Sequence, residues 1–166
     1  MSLLLSEVKD IIYDWVVSYS IDGCFTESVE PHVIWAEQTG EQPEPPYITL
    51  KVINNLDVGV KANYTYENDT LSYHKQKSLT LSVNMYGSDA MDVLTRLDDS
   101  LSLPEVRQYF IDNQLSPYDT SGVKDITVFL DTVYESRANL DIFFYYARSI
   151  VSKNKNINTI ETPVIN

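Results

Sequence analysis

The stretch GEQPEPP at residues 40–46 is the most restrictive part of this chain. Pro43, Pro45 and Pro46 fix φ and carry no amide hydrogen, so 40–46 can be neither helix nor central strand. It must run over a surface. On one side, residues 32–36 read as a short strand. On the other, 47–58 read as a longer one, in which Ile48, Leu50 and Val52 alternate with Thr49, Lys51 and Ile53. A stiff connector keeps a fixed shape at little entropic cost. That leaves Glu37, Gln38, Glu41 and Glu44 as polar groups for a surface contact; the alternative is a plain link over a sheet edge.

The rest of the chain has clear periods. Leu4, Leu5, Val8, Ile11, Ile12, Trp15, Val16 and Tyr19 recur at helical steps, while Glu7, Asp10 and Asp14 mark a wet face. Leu79, Leu81, Val83 and Met85 share one face of a strand over 79–86, the expected partner of 47–58. Ser88 is the expected cap of a helix striped by Ala90, Leu94, Leu97 and Leu101. SLPE at 102–105 reads as a capping box opening a second helix that stops near Asn113. Residues 115–134 are expected to give one short strand and a turn around Ser121-Gly122, and 134–150 a long strand.

Two segments stand out. Residues 57–77 are polar and tyrosine-rich without a helical period, which predicts a loop or extended hairpin arm. FFYYA at 143–147 places apolar side chains on both faces of a strand. A central strand covered by helices on both sides is the favoured reading, and an interface on one face the other. The fold class is therefore α+β: one domain over 1–152, its mainly antiparallel sheet packed by an N-terminal helix and a central helix pair, with a tail at 153–166.

At 166 residues with 43% hydrophobic content, the chain can bury a core without staples. Its net charge of −12 argues against intimate binding of nucleic acid. The N-terminus lacks a basic-then-apolar signal and no apolar run reaches about eighteen residues, so a soluble intracellular chain is expected.

Groups able to do chemistry are sparse. Cys24 has no second cysteine to pair with, and His32 and His74 lie in no metal-ligand spacing. The five glycines form no phosphate-binding loop, so no cofactor or metal is expected. Asp98, Asp99, Asp131 and Glu135 could make an acid–base pair or a small hydrolase or ligand-binding pocket if they converged; a solvated acidic face accounts for them equally.

An ordered set of segments remains. Trp35 and Gln38 precede the proline loop and PYIT at 46–49. LSVNMYGSDAMDVLTRLDDSLSLPEVRQYF follows at 81–110, then LDTVYESRANLDIFFYYA at 130–147. Together they resemble the neck or tail terminator proteins of contractile-tailed bacteriophages. The resemblance implies a non-enzymatic virion protein that assembles as a ring, typically a homohexamer, on the head-proximal end of the tail. There it ends growth of the tube and sheath, and meets a neck or head-completion protein. DNA passes through its lumen without specific binding, and no membrane is involved. Localisation would be the tail–neck junction, with assembly in the host cytoplasm. The interface residues expected on this basis are Trp35, Glu37, Gln38, Glu41, Glu44, Tyr47, Tyr64, Tyr66, Tyr73 and Arg137. Another tail component, such as a tube or completion protein, is the nearest alternative.

Overall fold

A computed structural model describes residues 3–21, 32–37, 39–41, 43–59, 63–67, 70–130 and 133–153. Cys24, Gln38, Asp131 and the segment 154–166 lie outside the described residues. Helix α1 (Leu5–Ile21) leads to strands β1 (His32–Trp35), β2 (Tyr47–Asp57), β3 (Asn63–Glu67) and β4 (Thr70–Tyr86). Helices α2 (Ala90–Ser100) and α3 (Pro104–Asp112) follow, then β5 (Leu115–Thr120), β6 (Lys124–Asp125), β7 (Val128–Leu130), β8 (Val133–Glu135) and β9 (Arg137–Lys153).

The main sheet runs β1-β2-β4-β9-β5, with β3 added to β4 and β6 to β9. All its pairs are antiparallel except β1 with β2. The protein is thus α+β with a mainly antiparallel sheet. The parallel pair explains the proline connector: two parallel neighbours cannot be joined by a tight hairpin, and the chain must travel back past the sheet before β2 begins.

One face of the sheet carries the core. Leu79, Leu81, Val83 and Met85 of β4 lie against Ala138, Leu140, Ile142 and Phe144 of β9, all fully buried. The helices cover this face with Val8, Ile12, Trp15 and Val16 of α1, Val93, Leu94 and Leu97 of α2, and Val106 and Phe110 of α3. The Trp15 indole packs edge-on to Phe110 with centroids 5.3 Å apart, and its N–H donates to Ser100 Oγ at 3.2 Å. Ser100 in turn donates to the Leu97 carbonyl at 2.7 Å. The polar end of a buried aromatic is thereby satisfied inside the core.

Several expectations need correction. Among the described residues, helices do not cover both faces of the FFYYA strand: Phe144 and Tyr146 are buried in the core, while Phe143 and Tyr145 are half-buried on the opposite face. That face is polar elsewhere, with Asn139 donating to Ser82 Oγ at 2.9 Å and to Asn84 Oδ1 at 3.1 Å, so it has no continuous apolar surface for a second helix layer. Its aromatic part is closed locally instead. A β-bulge between Pro117 and Asp119 re-aims Tyr118, which stacks on Tyr145 at 3.9 Å.

Neither expected side-chain cap forms. Asp89, not Ser88, is the N-cap of α2, in a left-handed conformation with φ 60°. Leu103 is the N-cap of α3, with Pro104 in the first turn. Ser102 is occupied in the turn closing α2, its N–H donating to the Asp99 carbonyl at 3.0 Å.

The strand expected over 134–150 is broken at Ser136, whose carbonyl accepts the Gly87 N–H at 2.9 Å. The residues before the break pair with β7 because β4 ends at Tyr86 opposite Arg137. Residues 115–134 form more strand than expected, with Gly122 turning at φ 68°. The 57–77 segment is largely strand as well: β4 begins at Thr70 rather than Leu79, and pairs with β9 as far as Lys153.

Candidate interaction surfaces

Of the ten residues expected at an interface, the nine that are described fall at opposite ends of β4, and Gln38 lies outside the described residues. At one end, Tyr47, Tyr86 and Arg137 are consecutive rungs across β2, β4 and β9. The two tyrosine rings stack with centroids 4.6 Å apart, and the Arg137 guanidinium lies 5.1 Å from the Tyr86 ring centre. Glu135 accepts a hydrogen bond from Arg137 Nε at 3.0 Å, and this pairing raises the arginine's pKa above its ordinary value. A cleft of about 540 Å³ joins Trp35, Glu41, Tyr47 and Arg137 with Thr39, Gly40 and Pro43 of the connector.

This cleft brings four of the expected residues together, though not in the same role. Tyr47 is only 2% exposed, so it shapes the site instead of offering a side chain to a partner. Glu41 and Glu44 are exposed, as is Glu37, which lies 4.0 Å from Lys51. Lys9 of α1 sits over the Trp35 ring at 4.8 Å. The connector is anchored here: a Cβ on Gly87 would lie 3.0 Å from Pro46 Cα.

The other end of β4, roughly 40 Å away along the strand, forms an arm of β3, β4 and β9 that extends past the helix layer. Tyr64 and Tyr66 hold register positions opposite Tyr73 and Leu71. Tyr73 belongs to a second cleft of about 530 Å³, lined by Leu71, Tyr73, Lys75, Lys77, Arg148 and Ile150. Asp57 stands at its margin, bound to Lys75 at 2.6 Å and also to Lys77. The two ammonium groups hold the Asp57 carboxyl down to about 2.

A third surface escaped the sequence reading. Among the described residues, strands β7 and β8 pair only with each other and form a ribbon beside the connector end, where the Ile126 N–H donates to the Arg137 carbonyl at 2.9 Å. Val128, Phe129, Leu130, Val133 and Tyr134 are all exposed, and the Phe129 and Tyr134 rings meet at 4.7 Å. The available signal was the unbroken apolar run VFL followed closely by VY, which a half-buried strand would interrupt with polar residues.

Of the carboxylates weighed for acid–base work, Asp131 lies outside the described residues, and the other three do not share a cleft. Asp98 lines a cleft of about 470 Å³ between α2, α3 and β5 that neither Asp99 nor Glu135 lines. Among the described residues, no three His, Cys, Asp or Glu side chains group as metal ligands. No helix among the described residues is long and apolar enough to cross a membrane.

A family model described as "phage neck terminator protein" matches residues 6–166, nearly the whole chain. No curated protein matches it.

Proposed function

The chain belongs to the phage neck terminator family, and on that premise we propose that it forms a ring, hexameric in the mature particle, at the head-proximal end of a contractile tail. As a neck protein it is a structural virion component. In the proposed role it ends growth of the tube and sheath and presents a surface to the neck or head-completion protein above. Assembly takes place in the host cytoplasm, and residues 1–152 act as one unit with the tail at 153–166 as an appendage.

The observation that carries this reading is the separation of dissimilar uncovered surfaces. The connector cleft and apolar β7–β8 ribbon lie at one end of β4, and the arm at the other. Dissimilar patches that bind each other give head-to-tail contacts, which close into a ring when the rotation between copies permits. The ribbon and the connector, with Glu37, Glu41 and Glu44, then form a rim for the axial partners. DNA passes through the lumen, and the net charge of −12 favours sliding over adhesion. The protein acts without catalysis or cofactor in this reading.

The test is light scattering of the full chain over a concentration series, alone and with purified tail tubes, followed by negative-stain imaging. Six-fold rings, free or capping the tube end, are expected. A chain that stays monomeric and never decorates tube ends overturns the proposal; decoration along the tube's length would make it a tube component.

A further inference from the structure

The arm is chemically unlike the rest of the chain. Residues 70–77 of β4 and 146–153 of β9 hold four bases, Lys75, Lys77, Arg148 and Lys153, and no acid, in a protein of net charge −12; the acids beside them are Glu67 of β3 and Asp57 of β2, which pairs with Lys75 and Lys77. The three helices hold eight acids against three bases. Folding therefore places a basic surface at one end of the sheet and an acidic one over its middle.

The arm also continues the sheet's core-facing surface after the helices have stopped. Leu71, Tyr73, Lys75 and Lys77 share the parity of Leu79 and Leu81, and Arg148 and Ile150 that of Phe144 and Tyr146. Where the helices cover this face its residues are buried; on the arm, Ile150 is 52% exposed. The arm is only a three-stranded ribbon here, and its outer strand β9 has no neighbour on its β5 side beyond Tyr146 among the described residues. Such a ribbon with an apolar face gains stability from being covered.

A complementary groove exists between α1 and α3. It measures about 590 Å³ and is lined by Asp14, Trp15, Ser18, Tyr19, Glu105 and Tyr109. Asp14 and Glu105 are exposed, and the Tyr109 pKa is raised first by burial and then by the Asp14 charge. The groove therefore offers acids beside aromatic rings, where the arm offers bases beside apolar side chains.

We propose that the core-facing side of the arm docks into the α1–α3 groove of a neighbouring copy, with Lys75, Lys77 and Arg148 opposite Asp14 and Glu105. The proposal rests on the ring reading and supplies its head-to-tail contact. A second copy fits better than DNA because Asp57 already pairs with Lys75 and Lys77, and phosphates would leave Leu71 and Ile150 uncovered. Charge pairing fixes the register and hastens encounter, while the apolar residues are removed from water.

The test uses two full-length variants, Lys75→Glu/Lys77→Glu/Arg148→Glu and Asp14→Lys/Glu105→Lys, checked for folding by circular dichroism. Each alone should weaken self-association at least ~10-fold, and mixing them should restore it, since each reversed arm then meets a reversed groove. Asp14 and Glu105 are exposed helix positions, so the second variant carries the test if the first fails to fold. Carbodiimide coupling of isotopically mixed wild-type protein should join Lys75 or Lys77 to Asp14 or Glu105 between chains. Rings that form normally in either folded variant overturn the docking proposal and leave the ring reading intact. Loss of duplex DNA retention by the arm variant, without rescue on mixing, overturns it in favour of a DNA contact. Wild-type protein that forms no ring in solution or on tubes removes both readings together.

Discussion

Gly87 stands against Pro46 with no room for a side chain between them: a built Cβ would lie 3.0 Å from Pro46 Cα and 3.2 Å from Pro45 Cβ. The residue also turns at φ 111°, where L side chains are strained. The turn after β4 and the end of the connector are thus fitted to each other.

Gly87→Ala should accordingly lower unfolding free energy by about 1–3 kcal/mol, measured by urea denaturation. Gly40→Ala, at a position with open space around it, is the control and should change little. Equal effects would show that contact with the prolines is not the cause.

Ser100→Ala should cost about 1–3 kcal/mol. The substitution removes the acceptor of the Trp15 indole N–H inside the core and leaves that donor dry. Red-edge tryptophan fluorescence and chemical denaturation would report it; unchanged stability would mean water enters to replace the hydroxyl.

Asp57 predicts how the arm responds to acid. Its folded pKa, about 2, lies below the ordinary 3.8 because Lys75 and Lys77 hydrogen-bond to it. A depressed carboxyl contributes stability that is fully present above the unfolded value and lost as pH falls through the folded one. Amide protection over 70–77 should therefore hold at neutral pH and weaken between about pH 4 and 2. Asp57→Asn should flatten that dependence, which hydrogen exchange can follow segment by segment.

Phe129→Ser/Tyr134→Ser should leave stability within about 0.5 kcal/mol, because both side chains are more than half exposed. Attachment of heads to tails should nevertheless fall, read as loss of joined particles in a complementation assay. Normal joining would exclude the ribbon from the axial interface.

Much of the fold was legible because it follows period and parity. The helical stripe from Leu5 to Tyr19 and the alternation of Leu79, Leu81, Val83 and Met85 hold their expected faces, whereas Leu4 precedes the helix and is 52% exposed. The beginning of β4 was not legible: Thr70 to Ser78 are mostly polar, and their strand conformation is set by pairing with β9, distant in sequence. Ser88 and Ser102 had the right chemistry for caps, but neighbouring turns already used the backbone around them. Of the interface candidates, Trp35, Glu41, Tyr47 and Arg137 came together because strand register brings the ends of β2, β4 and β9 level. The β7–β8 ribbon was missed because residues 115–134 were expected to give one short strand and a turn, and period alone does not say whether anything covers a short apolar run.

The long β4–β9 ladder also dictates an order of events in folding. Tyr86 and Arg137 are its closest pair along the chain, and Thr70 and Lys153 its most distant. Closing the shorter loop first costs less entropy and immediately gathers the buried residues, so the ladder zips outward from the Tyr86 end. The arm is then completed last, and a chain acquires its adhesive end only after its core has closed.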